Sequence, residues 1–229
     1  MDNPRIERFQ REGWLNLDPL TGQQVDDVLG WLKSRPVFVG RHVVQADTEF
    51  TTWDAAAGAN VLCWTLETAV LTPHLLERAL AEFDFVTEYL GTPNPYLYSL
   101  NVFVTRPGQP VRPDIQDWHR DTDDVKFLPM FFYLTDVGMD GAQQLRVGNS
   151  EVSTVGPRGF TFFSDTMREH RGLKPRHGER IIAWARWGVS DPPASYKWDK
   201  LQAIDARLLG DRYLNLSPHL RNAIKLVAA

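Results

Sequence analysis

Apolar positions along the chain change their period at two places. Val25, Val28, Leu29 and Leu32 recur at helical spacing behind Thr21, a residue suited to capping, and predict a helix running to about Lys33. A short helix over Asn3–Gln10 precedes it, followed by Gly13–Leu17, where apolar and polar residues alternate as in a strand. Arg41–Trp64 has weak periodicity and reads as loop with strand fragments. Leu75, Leu76, Ala79, Leu80, Phe83, Val86 and Leu90 then share one face, predicting a helix opened by Pro73 and ended by Gly91.

From Tyr96 the segments become short, β-branched or aromatic, and separated by Gly or Pro. Strands are predicted over Tyr98–Thr105, Val125–Leu134, Gln143–Val147, Phe160–Phe163 and Arg180–Val189, with turns at Pro107-Gly108, Asp140-Gly141 and Pro157-Arg158-Gly159. Beyond Pro192-Pro193 the pattern returns to helix, over Lys197–Leu209 and Pro218–Val227. The expectation is a mainly β protein with flanking helices, a sandwich or barrel in class. Its 229 residues suit one domain: a helical part over about 1–95, a β core over about 96–190 and C-terminal helices over about 195–229.

Composition narrows the function. With 25 basic against 29 acidic side chains the net charge is −4, which disfavours a nucleic-acid-binding face and favours a small-molecule substrate. No apolar run approaches the ~18 residues of a membrane span and Met1–Arg5 lacks a signal-peptide core, so no membrane partner and a cytoplasmic location are expected. The single cysteine, Cys63, rules out an internal disulfide and thiolate-rich metal sites, leaving His, Asp or Glu to hold any metal.

The densest chemical signal is Gln116-Asp117-Trp118-His119-Arg120-Asp121. On an extended chain residues two apart project to one side, so the His119 imidazole and Asp121 carboxylate can converge on one ion. Most such triplets are surface or hydrogen-bonded pairs, and a third ligand from another strand is required. Among the six histidines His170 is the best placed, after Gly159–Phe163, with His177 its principal rival. Two His and one carboxylate on one face leave the opposite positions open, as in non-haem Fe(II) oxygenases, although zinc would accept the same set. Arg180 follows His170 after Pro175 and Gly178, which places the two on adjacent antiparallel strands joined by a turn. A guanidinium there can bind the far carboxylate of a dicarboxylate co-substrate bidentately. Arg186, on the same face by parity, reads as half of a structural salt bridge.

The run Asp117–Asp121, then Phe131-Phe132-Tyr133-Leu134-Thr135-Asp136-Val137, then Asp165–Arg180 closely resembles the phytanoyl-CoA dioxygenase-like group of Fe(II)/2-oxoglutarate oxygenases, and Ile6–Leu32 resembles that group's N-terminus. The likeness covers most of the chain outside Arg41–Trp64 and the C-terminal helices. It implies a double-stranded β-helix, or jelly-roll/cupin-like, core. It also implies iron ligands at His119, Asp121 and His170, with Arg180 on the 5-carboxylate of 2-oxoglutarate and O2 as co-substrate. Asp121 stands where related halogenases have Ala or Gly, which favours hydroxylation or another oxidative outcome over halogenation. The chain departs from the group at Gly141-Ala142-Gln143-Gln144-Leu145, where Gly-Pro-Leu is usual, at Glu151, which replaces a histidine, and at Gly172, where several members have serine.

Three further residues are candidates for the co-substrate pocket. Trp118 adjoins His119, and Phe132 falls where the group often has an aromatic beside 2-oxoglutarate. Asn101, a polar residue within an apolar strand, needs a partner if buried; a bound molecule and a backbone carbonyl serve equally. Asp117, Asp123 and Asp124 read as a solvated loop, and His42, His74 and His219 as structural or surface residues. Arg41–Trp64 and Pro107–Gln116 are the expected lid and specificity region. The second class of function open to this sequence is a cupin-like metal protein that is not an oxygenase, either an isomerase or a small-molecule sensor.

Overall fold

Two antiparallel sheets face each other across the interior of the computed structural model, which describes residues 3–39, 48–57, 59, 61–107, 116–191 and 203–229. The larger has eight strands in the order β1 (Trp14–Leu17), β9 (Thr161–Ser164), β6 (Phe127–Tyr133), β11 (Arg180–Gly188), β5 (Tyr96–Thr105), β4 (Val61–Cys63), β2 (Val37–Val39) and β3 (Phe50–Thr51). The smaller has three, in the order β10 (His170–Gly172), β7 (Gln143–Val147) and β8 (Ser150–Thr154). Residues 116–121 run along the free side of β10 through a bridge between His119 and His170. This is a jelly-roll core with helices packed on one side.

Strand parity assigns the two faces of the large sheet. Leu100, Val102, Leu128, Met130, Phe132, Phe163, Ile181, Ala183 and Trp187 point outward and pack with Phe9, Val25, Val28, Leu32, Val70 and Leu75 from the helices. Phe103, Phe131, Tyr133, Phe162, Ile182 and Trp184 point inward as a separate aromatic cluster. The helices have local causes. In α1 (Pro4–Glu12) the Asn3 side chain caps the Arg5 amide, and Gly13, at φ 77°, ends the helix in the left-handed region. In α2 (Gly22–Lys33) Thr21 and Gln24 form a capping box. The turn at Gly159, with φ 90°, lies so close to the Leu20 carbonyl that a Cβ would stand 2.3 Å from its oxygen.

Several expectations are corrected. The helix expected from Pro73 to Gly91 is two, α4 (Leu75–Leu80) and α5 (Phe83–Leu90), preceded by an unanticipated α3 (Leu66–Leu71). The break falls at Glu82, whose buried carboxylate takes Arg5 and Arg78, each at 2.8 Å. The apolar stripe continues through it, so periodicity alone shows one helix. β2 and β8 were also unanticipated, whereas the strand expected at His170 is present as β10. Of Lys197–Leu209, the part before 203 lies outside the described residues and the rest holds a 3-10 turn over Ala206–Leu209. The last helix spans Pro218–Ala223, ending short of Val227.

Candidate metal centre

His119, Asp121 and His170 converge so that one ligand atom from each lies within 4.8 Å of the others. His119 Nε2 stands 3.6 Å from one carboxylate oxygen of Asp121, and His170 Nε2 stands 3.6 Å from the other. Each ring's Nδ1 faces a main-chain carbonyl: His119 to Asp117 at 2.9 Å, His170 to Arg168 at 3.0 Å. A carbonyl accepts only, so both Nδ1 atoms carry the proton, and both Nε2 lone pairs aim at the shared space in the ligating tautomer. His170 is 6% exposed, and burial holds its pKa below the usual histidine value, opposed by the Asp121 charge.

The backbone fixes these ligands. His119 and His170 exchange both main-chain hydrogen bonds, at 3.0 and 2.9 Å, which sets their rings 4.2 Å apart between centroids. The Asp121 amide donates to the Thr166 carbonyl at 2.9 Å. His170 therefore belongs to the small sheet, where β10 pairs with β7, whereas Arg180 opens β11 in the large sheet. The expected pairing of their two strands is corrected: the strands lie in different sheets, and Arg180 reaches the small sheet at the Gly141 and Leu173 carbonyls.

Arg180 donates from Nη1 to the carbonyls of Gly141 at 2.7 Å and Leu173 at 2.8 Å. Its Nε is buried with no hydrogen-bond partner, and no carboxylate pairs with the guanidinium among the described residues. Burial lowers its pKa, and the nearby Tyr133 acts in the opposite direction. A half-buried cation whose Nε is shut off from solvent without a partner is costly, and an anionic ligand reduces the cost. Two imidazoles and one carboxylate suit iron, and the lone guanidinium suits a dicarboxylate; the residues present fit the Fe(II)/2-oxoglutarate pair on both counts.

The remaining candidates divide. Asn101 is 5% exposed on the inner face, its Nδ2 donating to Ser99 Oγ at 2.7 Å and its backbone opposite Trp184. Phe132 is not brought to the site: it faces the helices, while Phe131 and Tyr133 face inward. Trp118 also points away, its ring lying between the guanidiniums of Arg146 at 4.1 Å and Arg171 at 4.5 Å. His177 is exposed, His74 contacts Asp27, His219 packs edge-on against Phe83, and His42 lies outside the described residues.

Two of the supposedly solvated aspartates are structural anchors. Asp123 accepts from Arg186 at 2.7 Å and from the Tyr98 hydroxyl at 2.9 Å. Asp124, 6% exposed, accepts from the Val189 and Ser190 amides, each at 2.8 Å, and from the Ser190 hydroxyl. Gly188 permits this, since a Cβ there would stand 2.6 Å from the Asp124 carboxylate. Together they tie the segment after Asp121 to the end of β11. Sequence reasoning also missed Gln143, Ser164 and Thr166, polar residues buried near the ligands; a glutamine within a strand pattern was the available signal.

No protein-family model matches the chain, and no curated protein matches it in sequence. Solved structures do match in fold. HygX from Streptomyces hygroscopicus, with nickel and 2-oxoglutarate bound, aligns at a TM-score of 0.59 and 10% identity over 90% of this chain and 92% of its own. EvdO2 from Micromonospora carbonacea var. aurantiaca, complexed with 2-oxoglutarate, aligns at 0.57 and 13% identity over 84% and 94%. SnoK, a non-haem α-ketoglutarate-dependent carbocyclase from nogalamycin biosynthesis, aligns at 0.55 and 13% identity over 82% and 83%. The chain thus shares its fold with non-haem 2-oxoglutarate-dependent enzymes.

Proposed function

We propose that this protein is an Fe(II)- and 2-oxoglutarate-dependent oxygenase of the phytanoyl-CoA dioxygenase-like group, which hydroxylates a C–H bond of a small-molecule substrate and releases succinate and CO2. The observation that carries the reading is the pairing of two Nε2 atoms and the Asp121 carboxylate with Arg180 on the large sheet, half-buried, its Nε unpaired and without a carboxylate partner among the described residues. Bound iron, with 2-oxoglutarate and O2, supplies the oxidising chemistry.

The chain's own part is positional. His119, Asp121 and His170 would hold the metal, and Arg180 would neutralise the distal carboxylate of the co-substrate. Phe103 and Trp184, stacked with centroids 4.4 Å apart, and Phe131 form an apolar wall that keeps water from the reacting centre. Asp121 favours hydroxylation by the family resemblance, and SnoK's carbocyclase activity names ring closure as the competing outcome on this fold.

Succinate formation from 2-oxoglutarate by the iron-loaded protein, with and without ascorbate, tests the reading. The expected result is iron-dependent succinate release in wild type and loss of 2-oxoglutarate binding in Arg180→Ala. A wild-type protein that binds metal but neither binds nor consumes 2-oxoglutarate contradicts it and leaves the non-oxygenase metal protein.

A further inference from the structure

Along the chain entering β7, Gly141 gives its carbonyl to Arg180, and Leu145 lies directly opposite His170 on β10. Gln143 stands midway, about 6–7 Å in Cα spacing from each, on the face that Leu145 shares with the metal ligand. Its partner across the strand is Gly172, which has no side chain to compete for the space. The carboxamide crosses toward the large sheet, where Nε2 meets Ser164 Oγ at 3.3 Å. Gln143 is 7% exposed, and its Oε1 is buried with no hydrogen-bond partner. Thr166, whose carbonyl takes the Asp121 amide, has a similarly orphaned hydroxyl.

A buried carboxamide with one end unpaired is destabilising, and this one stands along the chain between Gly141, which holds Arg180, and Leu145, which lies opposite His170. We propose that Gln143 binds and positions the co-substrate; the inference rests on the oxygenase reading and adds a residue to it. At neutral pH 2-oxoglutarate only accepts hydrogen bonds. Ser164, a hydroxyl, can donate or accept, so the carboxamide can turn over: Oε1 accepts from Ser164, and the NH2 group faces the interior and donates to a co-substrate oxygen. Gln143 is thus the donor between the two ends of the molecule.

The test is calorimetric titration of 2-oxoglutarate into nickel-loaded wild type, Gln143→Met, Gln143→Glu and Arg180→Ala, with melting temperatures taken before 2-oxoglutarate is added. Gln143→Met keeps the volume and loses the donor. Its Kd is expected to rise about tenfold, the loss of one hydrogen bond of about 1.4 kcal/mol, with nickel affinity unchanged. Gln143→Glu adds a negative charge opposite an anion and should bind more weakly still. Without 2-oxoglutarate, Gln143→Met should melt at or above the wild-type temperature, because an orphaned polar group has been removed. Wild-type affinity in Gln143→Met overturns the inference, as does a lower melting temperature with unchanged affinity, the signature of a structural glutamine. If wild type binds 2-oxoglutarate, Arg180→Ala does not, and both Gln143 variants do so normally, this inference fails alone. If wild type does not bind it, the oxygenase reading fails as well.

Discussion

The two faces of the large sheet are built from the same strands to opposite specifications. On the outer face Leu100, Val102, Leu128, Met130, Phe132, Ala183 and Trp187 are all 0% exposed and pack against helices. On the inner face the same strands carry Asn101, Arg180, Trp184 and Arg186, interleaved with aromatics. The outer face is apolar and closed; the inner one mixes rings with charges and leaves Arg180 Nε unpaired. An uncompensated buried polar group costs about 1–3 kcal/mol, which an apolar face of this extent can offset. Stability and chemistry are therefore separated by the two-residue period of the strand.

Breaking the outer face should have the largest effect on folding. Trp187→Ala removes a fully buried ring packed edge-on to Phe83 and should cost about 3–5 kcal/mol in denaturant unfolding, with the Kd for 2-oxoglutarate unchanged under folding conditions. Trp184→Ala, only half-buried on the inner face of the same strand, should cost less stability and alter ligand affinity instead. Equal stability losses with no change in binding would erase the distinction between the faces.

The anchor between them comes next. Asp124→Ala leaves the Val189 and Ser190 amides without their acceptor and should destabilise by about 1–3 kcal/mol, with a further loss of metal affinity because the segment after Asp121 is freed. Metal titration of the folded variant checks the second part.

The smallest effect is pH-dependent and is read on metal-free protein. The folded pKa of His170 lies below its ordinary value of 6.5, so the unfolded chain binds the extra proton first. The His170 contribution to stability is complete above pH 6.5 and is lost as pH falls from there toward the lower folded value. Denaturation midpoints of wild type and His170→Gln should converge as the pH is lowered through this window. A gap that widens on acidification gives the wrong sign.

What the sequence made legible follows from what a pattern can encode. The limits of α2 and β7, and the start of β11, were read to the residue, because caps, turn residues and alternation are local. β10 was not: His170-Arg171-Gly172 has no strand signature and is a strand only because β7 lies beside it. The pairing of His119 with Asp121 was visible because a spacing of two on an extended chain is itself the geometry, whereas His170 joins them through its bridge to His119. The face of β6 was hidden because Phe131, Phe132 and Tyr133 are all buried, so no alternation separates inside from outside. Trp118 adjoins a ligand in sequence, yet parity along the extended chain sends its ring to the opposite side, onto Arg146 and Arg171. Gln143 was passed over at the head of its strand, because its orphaned oxygen and its place between the Arg180 contact and the strand opposite His170 exist only once the sheets are assembled.

On the proposed reading one ion on His119, Asp121 and His170 and the half-buried guanidinium of Arg180 together form a single binding site for 2-oxoglutarate. Anaerobic titration of 2-oxoglutarate into Fe(II)-loaded and metal-free protein tests it most directly. One equivalent should bind the loaded protein, with affinity falling at least about tenfold when the metal is removed. Equal affinity with and without metal, or no binding to either, would contradict it.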